Sequence, residues 1–283
     1  MFLPPMLPEK RETPFDDARY IFEPKIDGLR MIVSIENGKV RLYNRYRHDI
    51  TEQFPELHPV PIADHSDAML DGVAACIDPV TGKVEAEWIR ERYLLRKPMS
   101  IRQGTVKQPV IFFAFDILRY RGEDLRARTL LERKEILANV LDENRHYCRM
   151  ITVEDMGSSL FETVRDMGLG GIVAKKKTSE YVGRRDPSWL QIVNYRYAIC
   201  QIAGYRKHSF GWLLHHRDKP VGIVDRHVPP AYRNAFLGVA KRIATGEDGA
   251  YVYVEPCIQA KVRFRNWTDA GTMRAPEFVE FVV

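Results

Sequence analysis

The sequence predicts an α+β protein in two parts: a first domain of mostly antiparallel sheets over residues 1–195, then a small β-barrel over 196–283. Three observations predict this. Short apolar runs bounded by turn residues recur from Tyr20 to about Asn194, with few segments at helical spacing between them. No Rossmann or P-loop glycine pattern is present, which argues against a doubly wound sheet. After Tyr195 the apolar runs crowd together around a single helical segment.

The elements follow in order. Tyr20-Ile21-Phe22 reads as a strand that ends at Glu23-Pro24-Lys25. Asp27-Gly28 is a turn signal. Strands are expected at 31–35, 40–44, 68–70, 110–116 and 171–174. A helix over 130–140 follows Thr129 as its cap and carries apolar residues at helical spacing; a second spans 159–167. In the second part, strands are expected at 198–205, 212–214, 221–224, 251–255 and 258–264. Pro229-Pro230 opens a helix over 231–243, with proline in the tolerated first turn. Several strands around one helix in so short a span is the pattern of an OB-fold, a barrel used on nucleic acids.

Composition sets outer limits. The chain has 283 residues, is 45% hydrophobic and carries a formal net charge of +5. That is enough for a full core in one or two domains, and it suits a polyanionic partner. The four cysteines, Cys76, Cys148, Cys200 and Cys257, show no paired spacing. They read as reduced core residues of a cytoplasmic protein, without zinc. The start, Met1-Phe2-Leu3-Pro4-Pro5, lacks the basic and apolar regions of a signal peptide. No apolar run is long enough to span a bilayer.

One lysine stands where a nucleophile should be. Lys25 lies at the end of a strand, beside a turn, between Asp27 and Arg30. In general a lysine attacks only after losing its proton, which burial or nearby cations favour. The same residues also read as a plain hairpin with an Asp-Gly turn and a surface lysine.

The segments that follow decide between the two. Lys25-Ile26-Asp27-Gly28-Leu29-Arg30 resembles the signature of the covalent nucleotidyltransferases, and the later segments resemble that superfamily's motifs in order. The likeness is greatest to small bacterial and phage ATP-dependent DNA ligases. It implies an adenylyltransferase domain, an OB domain, and ATP with Mg²⁺. It further implies that Lys25 attacks the α-phosphate, that Glu23 accepts from the adenine amino group and that Arg30 contacts the ribose. Ile26 and Asp71 join this nucleotide-binding set. Arg45, in Asn44-Arg45-Tyr46-Arg47, would contact the nucleotide or the nick phosphate. Phe115, in Phe112-Phe113-Ala114-Phe115-Asp116, would stack on adenine. Lys175, in Gly171-Ile172-Val173-Ala174-Lys175, would reach the α-phosphate.

Three positions depart from the family pattern. Asp71-Gly72-Val73 has valine for glutamate. Gly170 replaces another glutamate, and Gln191 replaces a lysine after Trp189. Each loss falls in the nucleotide pocket, so adenylylation is expected to be weakened. Asp71 or Asp116 remain as carboxylates for a metal whose ligands the sequence leaves unknown. Val73, after an Asp-Gly turn, and Gly170, before Gly171, read as unneeded in a core, so Val73→Glu, Gly170→Glu and Gln191→Lys are expected to be tolerated and to speed self-adenylylation.

Candidate DNA contacts are Arg47; Arg92 within the basic segment from Glu87 to Arg102; and Lys261, Arg263 and Arg265, alternating along a strand. Such residues suit phosphate contacts, which position without reading sequence. They also suit an ordinary soluble surface. Arg274 is the one candidate in the last segment. The expected activity is a monomeric, two-domain ligase that seals nicks in double-stranded DNA. The alternatives are a nick-binding protein of the same fold with impaired chemistry, and an RNA ligase or capping guanylyltransferase.

Overall fold

The computed structural model describes residues 2–268 and 270–282. Met1, the first residue of the N-terminal reading, lies outside them, as do Asp269 and Val283 of the second domain. The chain divides between Asn194 and Tyr195 into two compact units.

Two sheets build the first unit. In one, the strand order is Leu7–Lys10, Arg185–Val193, Gly171–Lys176, Tyr20–Pro24, Val153–Glu154. All its pairs are antiparallel except the first. In the other, the order is Lys39–Asn44, Leu29–Glu36, Ala68–Cys76, Val110–Tyr120, Glu123–Asp124, with Tyr147–Arg149 added in parallel. Side chains alternate faces along each strand. Ile21, Trp189, Ile32, Met69 and Phe115 therefore share one core drawn from both sheets. Phe22, Ile172 and Ile192 turn the other way, with Val164 of the helix Gly157–Asp166. Behind the second sheet, Val33, Leu42, Leu70 and Phe112 pack with Leu137 of the helix Leu130–Val140. That helix has the expected bounds. Thr129 and Glu132 close its first turn as a capping box.

Lys25 lies where the chain leaves one sheet for the other. Tyr20–Pro24 and Leu29–Glu36 pair in different sheets, so the plain hairpin at Asp27-Gly28 is excluded. Gly28 is needed because a Cβ there would collide with the carbonyl oxygen of Ala74. The strand expected at 68–70 runs on through Ala68–Cys76 and is buried throughout. Asp71-Gly72 is not a turn: the glycine admits the Phe112 ring and the Phe113 carbonyl against the strand. Val73 is correspondingly a core residue. The expectation that it stands free to become glutamate is corrected.

The second unit is a seven-stranded, OB-like sheet with one helix. Its long strand, Arg196–Arg206, pairs through its first half with Gln259–Phe264 and through its end with Tyr251–Val254. A bulge between Ile202 and Gly204 accompanies its pairing with Trp212–His216 on the other side. Trp212, Phe236, Val262, Phe264 and Phe278 form the core. The helix, Pro230–Ala240, stops short of the expected 243, and Ala244–Glu247 is a strand instead. Cys76 and Cys200 are buried as expected, but Cys148 is half-buried and Cys257 exposed. No helix among the described residues is long and apolar enough to cross a membrane.

Candidate active site

Register places the pocket side chains. Glu23 lies opposite Val173, and Val173 lies opposite Gln191. These three positions form one row across the sheet, and Lys175 is the diagonal neighbour of Glu23 on the same face. The Lys175 ammonium sits 2.6 Å from Glu23 Oε2. A second lysine, Lys134 of the helix Leu130–Val140, pairs with Glu23 Oε1. Burial pushes the Glu23 carboxyl up, but the two ammonium groups outweigh it and hold it below its usual value. Burial lowers Lys175 from 10.5 to about 8, against the pull of Glu23.

Two residues beyond Glu23, the Lys25 backbone N–H donates to the Gly171 carbonyl at 2.8 Å. Its ammonium lies 3.1 Å from Asp27 Oδ1, and about four-fifths of the side chain is covered. Gly171 has φ +127°, and a Cβ there would strike the Ile192 carbonyl. A Cβ at Gly170 would stand 2.9 and 3.0 Å from the two Asp27 oxygens. The Asp27 carboxylate thus borders the space a residue-170 side chain would use, and a glutamate there enters only by displacing it. Tolerance at Gly170 therefore depends on the Asp27 side chain giving way, since no backbone atom is among the nearest contacts.

Arg30 and Asp71 meet each other. Nε and Nη2 of Arg30 donate to the two Asp71 oxygens, each at 2.6 Å. The Tyr181 hydroxyl donates to Asp71 Oδ2 at 2.6 Å and accepts from the Met6 N–H at 3.0 Å. The Arg30 guanidinium lies over the Phe115 ring at 4.3 Å, and the Lys175 ammonium lies 3.9 Å from that ring's centroid and 4.2 Å from that of Trp189. Glu23, Arg30, Asp71, Phe115 and Lys175 therefore form one contiguous cluster. Phe115 carries two cations on its ring. Ile26 is half-buried against the core between the sheets.

Neither spare carboxylate is open to a metal. Asp71 is gripped by Arg30, and Asp116 by Arg133 at 2.7 and 2.9 Å with both side chains fully buried. No cluster of three or more His, Cys, Asp or Glu among the described residues could hold an ion. These residues do not fit a protein-held divalent cation.

Arg45 and Arg47 lie apart, exposed on the loop after Asn44. The Asn44 side-chain oxygen accepts from the N–H groups of Tyr46 and His48 at 2.9 and 3.0 Å and shapes that loop. Arg47 adopts φ +69°, a left-handed conformation rare outside glycine. Arg92 is not a surface cation. It is fully buried, with its guanidinium on Glu56 and on the carbonyls of Gln53 and Gln108. Its helix turns that position inward, so the expected DNA contact is overturned. Lys261 pairs with Glu280 at 3.3 Å and Arg263 with Glu277 at 2.9 Å, while Arg265 is exposed. The cationic strand is thus partly neutralised by the strand Glu277–Val282 beside it.

Sequence reasoning missed Lys134, Tyr181 and Met6. None stands in a recognisable motif. Each reaches the cluster through tertiary packing, and only the apolar spacing of 130–140 hinted at which face Lys134 takes.

A chain that passes between two sheets at Lys25, beside a buried cluster of carboxylates and cations around Phe115, accords with a nucleotidyltransferase. Its relatives narrow the class. The ATP dependent DNA ligase domain family matches residues 5–192. The SPbeta prophage-derived DNA ligase-like protein LigB of Bacillus subtilis is 30% identical over 98% of this chain and 98% of its own. The bifunctional non-homologous end joining protein LigD of the same organism is 25% identical over 98% of this chain but 48% of its own length. The chain thus spans about half of that relative. Among solved structures, mycobacterial DNA ligase D complexed with ATP and MES superposes with a TM-score of 0.60 at 24% identity, over 99% of this chain and 95% of that one. A Lig E DNA ligase gives 0.65 at 14%, over the whole of both chains. The chain belongs to the ATP-dependent DNA ligase family and is an ATP-using enzyme of that family.

Proposed function

We propose that this ligase seals nicks in duplex DNA by way of a lysyl-AMP on Lys25. The observation that carries the reading is the position of Lys25 at the crossing between the sheets, one residue pair beyond Glu23 and tied to Asp27. Asp27 steers the ammonium and is the nearest carboxylate to receive its proton. The Lys25 nitrogen then attacks the α-phosphorus of ATP, forming the N–P bond as the P–O bond to pyrophosphate breaks. The AMP passes to the 5′-phosphate of the nick. The 3′-hydroxyl displaces it and closes the phosphodiester. Mg²⁺ belongs to this reading as the ion carried by the triphosphate, the usual route into phosphoryl-transfer sites.

Incubation with α-labelled ATP, a denaturing gel and a nicked duplex tests the scheme. Label on the protein and sealed product support it. A specific observation favours a second reading, a nick-binding ligase-like protein with weak chemistry. Positions 73 and 170 carry no carboxylate, and Asp71 and Asp116 are tied to arginines. Nick binding without any label establishes that second reading. Label from GTP in place of ATP overturns both.

A further inference from the structure

The charges around Glu23 form a relay of contacts that begins at the aromatic ring. Asp116 directly follows Phe115 on the strand Val110–Tyr120. Arg133, fully buried, grips Asp116 through Nε and Nη2 and donates to the Ser179 carbonyl at 3.0 Å. That grip fixes the helix Leu130–Val140 along and about its axis. Lys134 is the next residue, and it reaches Glu23 Oε1 while donating to Thr152 Oγ1 at 3.1 Å. Lys175 holds the other oxygen, Oε2. The strand that carries the ring therefore also sets the lysine that anchors the carboxylate.

We propose that Lys134 is a positioning residue for base selection: by pairing with one oxygen of Glu23 it fixes that carboxylate in place, and so selects a 6-aminopurine nucleotide over a 6-oxopurine one. This rests on the reading of Glu23 as the base-facing group and extends it to a residue outside the motifs. An ionised carboxylate only accepts hydrogen bonds. It suits an exocyclic amino group and repels the lone pairs of an oxo group. With an ammonium ion-paired to each oxygen, its rotation is restrained. A carboxyl with one free oxygen in a buried site rotates, and it takes up a proton more readily because burial disfavours its charge. A protonated carboxyl donates, and it then accommodates the oxo group. Loss of Lys134 should therefore blunt the choice of base rather than nucleotide binding as a whole.

The test is calorimetric binding of ATP and of GTP to the full chain carrying Lys25→Ala, which cannot turn over. The parent is expected to favour ATP. Adding Lys134→Met should cut the ATP/GTP affinity ratio about tenfold or more, the scale of one hydrogen bond to a charged group. Lys134→Arg should restore the ratio to within about threefold of the parent. Lys134→Gln keeps a donor without the charge and should fall between; it replaces the methionine variant if that one does not fold. An unchanged ratio in Lys134→Met and Lys134→Gln, or equal weakening of both nucleotides, overturns the proposal and leaves the reading of Glu23 standing. A parent that binds neither nucleotide, or prefers GTP, overturns the reading of the pocket itself.

Discussion

The two units treat charge in opposite ways. Every buried polar or charged side chain among the described residues lies before Asn194, among them Glu23, Asp71, Arg92, Asp116, Arg133 and Lys175. The OB-like unit has a wholly apolar core built around Trp212, whose ring centroid lies 4.9 Å from that of Phe236 and 5.4 Å from that of Phe278. Burying an ion costs several kcal/mol unless it is paired and hydrogen-bonded. A unit that accepts this cost repeatedly is organised around something other than stability. Its ion pairs hold the Phe115 strand, the helix that carries Lys134, and Arg30 in place, and these surround the candidate pocket. The second unit is built on an apolar core, with its ion pairs at or near the surface.

The sharpest test of this division is Lys25→Ala. It should abolish the labelled protein adduct entirely while leaving the melting temperature and nicked-duplex binding near those of the parent. An adduct persisting in the variant would move the nucleophile elsewhere.

The next effect is on stability. Arg133→Met leaves Asp116 charged and unpaired in the core and should cost about 3–5 kcal/mol, read by denaturant unfolding. Replacing the pair together, Arg133→Met with Asp116→Leu, should recover much of that loss while still displacing Lys134. If the double variant is no more stable than the single, the pair is a structural necessity and the comparison between the units loses its point. Val73→Glu should be costly for a related reason, by about 2–4 kcal/mol, because it puts a carboxylate into a strand that is covered throughout, where the residue opposite, Arg30, is already committed to Asp71. A full-strength Val73→Glu protein would show that the strand opens toward solvent.

These expectations mark where the sequence was readable. The helix Leu130–Val140 was legible to the residue because cap and apolar spacing agree. Glu23 and Lys175 come from separate contiguous motifs, and the structure does bring them together. Asp71-Gly72 misled, since the same dipeptide that signals a turn also permits close packing inside a strand, and only Phe112 and Phe113 decide which. Arg92 misled because a charged helix position does not announce the buried carboxylate, Glu56, that receives it. Lys134 was invisible. A lysine in a helix reads as solvated unless the partner across the fold is known, and that partner lies 111 positions earlier at Glu23 in the sequence.

A smaller effect concerns pH. Lys175 falls from 10.5 to about 8 in the folded protein. Between those values the unfolded chain holds a proton that the folded protein releases, so this group makes stability rise with pH across the window and adds no slope well below it. The stability of the parent minus that of Lys175→Met should therefore increase from about pH 8 toward 10.5. A difference that stays flat across that range would mean the ammonium is solvated.

The smallest effect should come from the OB-like unit and concerns DNA. A cation that contacts a phosphate adds about 0.9 to the slope of log affinity against log salt, through the counterions it displaces. Lys261 and Arg263 are already matched by Glu280 and Glu277. Their charge is thus partly spent within the unit, and removing either cation leaves its carboxylate unmatched. Arg265 is exposed beyond the end of the strand Gln259–Phe264. Arg265→Ala should therefore flatten the salt dependence of nicked-duplex binding by about one unit, and Lys261→Ala by clearly less. The measurement is fluorescence anisotropy over a series of salt concentrations. Equal slopes for both variants would show that the ion pair with Glu280 opens on binding, and that the surface charges of this unit serve function no less than the buried charges of the other.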